Sequence, residues 1–507
     1  MASAELKSTD PAGLDAFRAE LIAAGFEPYG GGPRRWQGPL HPALQGFTSA
    51  ETMRICFQDG WPYRPPKLFV DGVDREHAVL DGELCLFQPG ERAIGDWNTL
   101  EAYLGRIERW AETAADGFRI EDDVLDPHLY FRPQMEGIAT LELESIPLTR
   151  GELGTGKLTG RWTRGDRVLA LATGIADPSA LPGRWYYNPG VSAPPRNFDG
   201  FREALGNGQQ TNLARRLHRV QVDDAPAILA LLWDTRFDQR NCLITLATPG
   251  EERPQMHAIE LAPSDEAARL ARAGPDITQL AEARVAIFGA GAIGSQLASL
   301  LARAGTGSIR LIESDVLRPG NLVRHLAGSS SVGFQKAVAT EVAVQDAAPW
   351  TEFESIIEKP WDVERLSQLM SDTELAIDAT GITPFAELLG KIAIEAEVPL
   401  LSAALFRGGF LGRVRRQVPG TDTPIDERHA SEEFPLIPAG EEPESFEAGC
   451  SALVNNASPV SVASIAATAA SVAIDLLSGR LEYEEELIDV YHPLPEAPFD
   501  QIGRVIG

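Results

Sequence analysis

Val285-Ala-Ile-Phe-Gly-Ala-Gly-Ala-Ile-Gly-Ser295 decides the fold of this chain. An apolar strand runs into a turn with Gly289, Gly291 and Gly294, and a helical pattern follows. That order lets a backbone approach phosphate oxygens at a helix N-terminus. Alone it is a common turn, serving dinucleotides as often as mononucleotides and at times only joining a strand to a helix. A second strand, Ser308 to Glu313, ends in an acidic residue at the position that contacts a ribose in doubly wound sheets.

A hydride-transfer enzyme would need no more than this. Here Asp315, Asn321, Arg324, Lys336 and Asp378 follow in order. A cation and an amide after the second strand, a lysine at the next helix and an aspartate ending a later strand suit a triphosphate with its magnesium. The same groups would stabilise charge while a carboxylate oxygen attacks the α-phosphate. Any one of them alone reads as a solvated surface charge. The ordered set points to ATP and Mg2+.

On these residues, positions 266–507 resemble the ubiquitin-activating and ThiF-type adenylating enzymes. The resemblance implies a Rossmann-like domain in which Glu313 contacts the ribose, with Asp315 also near the nucleotide. It makes Asn321, Arg324 and Lys336 phosphate contacts and Asp378 the magnesium ligand. It further implies a symmetric homodimer, with an arginine such as Arg269 or Arg272 entering the partner's nucleotide site; each also reads as a solvated helix residue. Where the family often has an acidic residue soon after the aspartate, this chain has Gly381, so contacts to the incoming tail are expected to differ.

The chain has only four cysteines, Cys56, Cys85, Cys242 and Cys450, and no Cys-x-x-Cys pair. The four-thiolate structural zinc of sulfur-carrier activating enzymes therefore cannot be assembled. Wide spacing without a signal-peptide pattern argues against a disulfide framework and for a cytoplasmic protein. Cys450 lies in Phe446-Glu-Ala-Gly-Cys-Ser-Ala-Leu-Val454, ahead of a helix that Ser458 can cap and Pro459 can open. In the ubiquitin-activating branch such a loop cysteine takes the adenylated C-terminal glycine as a thioester, because a thiolate is the best protein nucleophile near neutral pH.

The first 126 residues carry Trp61-Pro-Tyr-Arg-Pro-Pro-Lys67 after a strand-like Thr52 to Phe57, then Asp81-Gly-Glu-Leu-Cys85-Leu86, Trp97 and a helical run from Leu100 to Trp110. They resemble ubiquitin-conjugating domains, whose hallmarks are a proline-rich segment, a cysteine strip and a downstream tryptophan. The resemblance makes Cys85 the acceptor thiol. The usual His-Pro-Asn triplet is absent, and its asparagine position holds His77, which reads equally as an oxyanion-supporting imidazole and as a structural loop histidine. Cys56 and Cys242, among alternating apolar residues, read as core.

Residues 127–265 hold short strand-like runs between Gly/Pro-rich turns and no catalytic constellation, so they read as a folded, partly β connecting domain. The whole is an α/β multidomain chain: an α+β conjugating-like domain over 1–126, the connector, and the adenylating domain over 266–507. A net charge of −28 offers no basic face to nucleic acid. No membrane span is expected, since the alanine-rich helix from Ala463 to Leu477 reads as short and contains Asp475.

This order of domains resembles the conjugating/activating fusions of CBASS anti-phage systems. The resemblance implies ligation of a cyclic-oligonucleotide synthase, through its C-terminal glycine-type tail, to a lysine-bearing acceptor. A bacterial ubiquitin-like protein is the alternative substrate. A nicotinamide-dependent oxidoreductase would use the same glycines, and a non-catalytic scaffold is the reading if either cysteine strip is degenerate.

Overall fold

The computed structural model describes residues 8–30, 32–87, 94–118, 127–174, 179–191, 194–235, 239–428, 432–438 and 456–506. The chain divides into two compact units, Met1–Asp265 and Glu266–Gly507.

The first unit opens with α1 (Pro11–Ala23), started by the Asp10 carboxylate accepting from Gly13 N at 2.9 Å. An antiparallel meander follows, of β1 (Glu27–Pro28), β2 (Arg35–Pro39), β3 (Thr52–Cys56), β4 (Lys67–Phe69) and β5 (Glu83–Leu84). Then comes α2 (Leu100–Asp116), where Leu100, Tyr103, Ile107, Trp110, Ala111 and Ala114 make one buried stripe at helical spacing. The expected strand and helix therefore both form. Trp61 and Trp97 are each 1% exposed, and the Trp97 indole donates to Pro62 O at 2.6 Å, tying the proline-rich segment to the residues before α2.

The connector is more regular than its sequence suggests. β6 (Ile138–Leu141), β7 (Gly154–Thr163), β8 (Val168–Thr173) and β9 (Leu181–Tyr187) precede α3 (Phe198–Glu203) and α4 (Asn207–Asp223). With β10 (Ala227–Asp234), β11 (Arg240–Thr248) and β12 (Gln255–Pro263) these strands close a barrel in the order β10-β11-β12-β6-β8-β7-β9. The unbroken apolar run of β10 has a physical reason. Ile228, Ala230 and Leu232 face the barrel core, while Leu229, Leu231 and Trp233 join the cluster that holds Phe201, Leu213 and Val220 of α3 and α4. A strand covered on both faces loses its polar alternation.

The second unit begins with α5 (Glu266–Leu270), α6 (Ile277–Leu280), β13 (Arg284–Phe288), α7 (Ala292–Arg303) and β14 (Ser308–Ile312). It continues with α8 (Lys336–Ala347), β15 (Glu352–Ile356), α9 (Val363–Met370), β16 (Leu375–Asp378), α10 (Thr383–Glu395), β17 (Leu400–Phe406) and β18 (Leu411–Gln417). α11 (Pro459–Leu477), β19 (Glu486–Val490) and β20 (Gly503–Ile506) complete it. The sheet runs β15-β14-β13-β16-β17-β18-β19-β20, parallel through β17 and antiparallel from there. Helices cover both faces. Val285 and Ile287 of β13 pack into one cluster with α7, α8 and α11, and Ala286 and Phe288 into another with α9 and α10. Strand order reverses at β13, so the crevice beyond the C-terminal ends of β13, β14 and β16 is where such a sheet takes its ligand.

α11 corrects one expectation. It has 19 residues with a mean hydropathy of 1.9, long and apolar enough to cross a bilayer by length and composition. Its buried side includes Val462, Ile465, Ala466, Ala469 and Ala473, all in the core cluster of the sheet. As its sequence indicates, Ser458 caps it, accepting from Ser461 N at 3.0 Å, and Pro459 is its first residue.

Candidate functional site

The crevice at the strand reversal opens into a cavity of about 480 Å3. Gly289, Gly291, Glu313, Asp315, Arg324 and Lys336 line it, gathered from the ends of β13 and β14 and the start of α8. Gly289 sits at φ 97°, a conformation that a side chain disfavours. Gly291 is the N-cap of α7, so the first turn of a 12-residue helix faces the cavity.

The charged residues hold each other in place. Glu313 accepts from Ser314 N at 2.8 Å, Asp315 N at 2.9 Å and Ala290 N at 3.4 Å, which ties the end of β14 to the glycine turn. Lys336 Nζ stands 3.1 Å from Asp315 Oδ2. Arg324 donates to Ala457 O at 3.2 Å, beside the entrance to α11.

Five of the sequence-picked nucleotide-site residues, Gly294, Asn321, Asp378, Arg269 and Arg272, are not among those lining the cavity. Asn321 does not line the cavity; its Oδ1 accepts from Arg318 N at 3.0 Å and closes a turn. Arg269 and Arg272 are exposed and also outside the cavity lining of this chain. Gly294 acts by close approach: a Cβ there would lie 1.8 Å from Gly289 O.

Asp378 ends β16 but is 1% exposed. One oxygen accepts from Thr380 N at 3.0 Å and Thr380 Oγ1 at 2.6 Å, the other from Ser402 Oγ at 2.9 Å. Burial pushes its carboxyl above the ordinary range, while Thr380, Ser402 and the Arg415 guanidinium oppose the shift. Among the described residues no cluster of three or more His, Cys, Asp or Glu could hold a metal on its own. A single carboxylate does fit magnesium carried mainly by nucleotide phosphates and water.

Sequence reasoning missed two parts of the site. His325, 7% exposed, has Nδ1 accepting from Ala327 N at 3.0 Å, so Nε2 carries the proton and donates to Ala290 O at 3.0 Å. Burial drags its pKa down to about 4. Glu358-Lys359-Pro360-Trp361 forms the other wall, Trp361 packing edge-on against Phe385 at 5.1 Å. A tryptophan in a charged, proline-bearing loop was the available signal.

In the first unit, Asp81 and Gly82 adopt positive φ values of 63° and 78° and deliver Cys85 just past β5. Its amide donates to His77 O at 2.8 Å. His77 is buried, 3% exposed, and its imidazole lies tilted against Phe118 with centroids 4.4 Å apart; it is the His77 backbone carbonyl that binds the Cys85 amide. Burial first and Glu83 second push the Cys85 thiol up to about 11, with Lys67 opposing. Lys67 and Glu83 pair at 2.7 Å beside it. Of the two cysteines read as core, Cys242 is buried, whereas Cys56 is only half-buried because it shares a face of β3 with Arg54; Met53 and Ile55 take the core face. Cys450 lies outside the described residues.

Residues 265–496 match the ThiF family. The chain is 29% identical to the Sinorhizobium fredii protein y4qC over 229 residues, 41% of this chain and 39% of that one. To y4oA of the same organism it is 24% identical over 406 residues, 69% of this chain and 67% of that one. A stretch of 123 residues, 24% of this chain, is 29% identical to 21% of the Vibrio cholerae ATP-dependent ubiquitin transferase-like protein Cap2. The chain thus spans about two fifths of the first relative and a fifth of the third. Among solved structures, Escherichia coli MccB with ATP superposes at a TM-score of 0.37 with 17% identity, over 47% of this chain and 69% of that one.

Proposed function

We propose that this chain, whose C-terminal unit is a ThiF domain, uses ATP to activate a protein C-terminus and passes it through two thiols to an amine. The carrying observation is the cavity that gathers the glycine turn, Glu313, Asp315, Arg324 and Lys336 at the strand reversal. ThiF membership and the Cap2 similarity support adenylation and ubiquitin-like conjugation as its chemistry. In the first step a C-terminal carboxylate oxygen bonds to the α-phosphorus, the α–β phosphoanhydride breaks and pyrophosphate leaves. Lys336 and Arg324 hold the phosphates, and the α7 N-terminus faces the same charge. Glu313 takes the ribose. Magnesium, with Asp378 as its protein ligand, would neutralise phosphate charge.

The Cys450 thiolate then attacks the acyl carbon and AMP departs. Cys85 displaces Cys450 in turn, keeping the acyl group as a thioester. A lysine amine finally attacks, forming an amide and releasing the Cys85 thiolate, which recovers a proton. A thiol with a pKa of about 11 rests protonated, so each transfer to Cys85 must remove its proton as it attacks. The proposed substrate is a cyclic-oligonucleotide synthase with a glycine-type tail, and the proposed assembly a homodimer in which Arg269 or Arg272 reaches the partner's nucleotide.

Incubation with ATP and the cognate tail, read on a non-reducing gel, tests the relay. Two thiol-sensitive adducts are expected, both lost in Lys336→Ala with pyrophosphate exchange down about a hundredfold. Cys450→Ala should abolish charging of Cys85. Charging of Cys85 undiminished in that variant would sink the order of steps.

A further inference from the structure

The loop that precedes Cys85 is held by residues of the connecting barrel, and a single guanidinium makes most of the hold. Arg196 donates Nη2 to Ala78 O at 2.6 Å and to Arg75 O at 3.2 Å, Nη1 to Val79 O at 3.2 Å, and Nε to the Asp74 carboxylate at 3.2 Å. Its plane lies 5.5 Å over the Tyr130 ring. Beneath it the Tyr130 hydroxyl accepts from His77 N at 3.0 Å. His77 stands at φ 57°, a conformation a non-glycine residue keeps only where its surroundings impose it. The other end of the same residue, His77 O, takes the amide of Cys85 at 2.8 Å.

The segments around both holding residues are themselves anchored, one on β12 and the other at the start of α3. Around Tyr130, His128 Nε2 lies 2.7 Å from Ile259 O of β12, and Gln134 N donates to Ala258 O at 3.0 Å. Tyr130 is 2% exposed. Next to Arg196, Asn197 caps α3 by accepting from Gly200 N at 2.9 Å, and Phe201 of that helix is fully buried. The segment carrying Tyr130 is thus bonded to β12 on both sides of it, and Tyr130 in turn holds the amide of His77, whose carbonyl holds the Cys85 amide.

We infer that Arg196 and Tyr130 are positioning residues for acyl transfer at Cys85, so that this thiol works only with the connecting barrel folded against its loop. The inference rests on the reading of Cys85 as an acyl carrier. Four carbonyl and carboxylate acceptors around one planar fork match arginine, whose five N–H groups point in fixed directions; lysine offers one ammonium and cannot reach them together.

The full-length chain serves for the test, as Arg196→Ala, Arg196→Lys and Tyr130→Phe. Discharge of preformed Cys85 thioester to lysine should slow about tenfold or more in Arg196→Ala, with pyrophosphate exchange within about twofold of wild type. Arg196→Lys should fail to rescue it, and Tyr130→Phe should slow it about threefold or more. Loss should fall on the maximal rate, with the half-saturating lysine concentration unchanged. Discharge within about twofold of wild type in both Arg196→Ala and Tyr130→Phe overturns the inference. If Arg196→Ala does not fold, Tyr130→Phe decides alone. Should wild-type Cys85 carry no thioester at all, the acyl-carrier reading fails by itself, and positioning is judged on alkylation of Cys85 by iodoacetamide. That rate should rise about fivefold in Arg196→Ala as the loop loosens, and an unchanged rate overturns the positioning too.

Discussion

His325 lies under the glycine turn, donating from Nε2 to Ala290 O and accepting at Nδ1 from Ala327 N, which requires a neutral ring. Folded, the imidazole protonates only near pH 4; unfolded, it does so near its ordinary 6.5. Between those values the unfolded chain binds the extra proton, so stability falls as pH drops from 6.5 and the loss is complete near 4. The gap is worth about 3 kcal/mol. Urea unfolding of the C-terminal unit should show a midpoint that declines from pH 7 to 5, and His325→Gln should flatten the slope. The glycines separate in the same way. Gly294→Ala would place a Cβ 1.8 Å from Gly289 O, so it should cost about 1–3 kcal/mol or more and disturb the turn. At Gly291 a Cβ meets nothing within 4 Å, so Gly291→Ala should leave the melting temperature within about 2 °C and weaken ATP about tenfold, as read by calorimetric titration. The placing of Glu313 and Lys336 at the cavity was legible in the sequence because the end of β14 and the start of α8 fix where they fall; Arg324, in the turn after Asn321, was picked by resemblance and by its place in the ordered set. His325 was not legible, since its partner lies 35 residues away.

β18 puts three arginines, Arg413, Arg415 and Arg416, at 7%, 4% and 6% exposure between β17 and β19. Arg413 pairs with Glu486 at 2.7 Å, and that carboxylate, fully buried, also stands 3.9 Å from Arg428. Burial pulls Arg415 down to about 10, and its neighbours Arg413 and Arg428 pull the same way. Removing Glu486 would leave the buried Arg413 guanidinium without its carboxylate, while Arg428 keeps Glu485 at 3.7 Å, so Glu486→Ala should destabilise the unit by about 3–5 kcal/mol. Glu374→Ala breaks a pair of the same length with Arg284, but one whose side chains are 44% and 52% exposed; its cost should be about 1 kcal/mol or less. Equal losses in chemical denaturation would refute that difference. Nothing in the periodicity of Leu411–Gln417 announces this burial, because charged residues read as surface until their partners are placed. The barrel was half legible for a related reason. Apolar runs and turns show strands, whereas closure depends on β9 pairing in parallel with β10 across two intervening helices.

At the scale of the whole molecule, every residue lining the cavity at the strand reversal comes from Glu266–Gly507, while Cys85 and the residues that hold its loop come from Met1–Asp265. Each unit has its own apolar cores: those of the first involve residues such as Leu14, Trp97, Ala139 and Leu246, those of the second Val285, Leu400 and Leu487. A ligand stabilises only the folded part that binds it, by about 2.7 kcal/mol at a hundredfold excess over its Kd. For a unit of this size that corresponds to a rise in melting temperature of about 5–10 °C. Scanning calorimetry with a non-hydrolysable ATP analogue should therefore move the transition of the C-terminal unit upward and leave that of the N-terminal unit in place. Lys336→Ala should cancel the shift without lowering the transition seen in its absence, because the Lys336–Asp315 pair, with Asp315 58% exposed, contributes little to stability. One transition that moves as a whole would mean that the two units share a single cooperative fold.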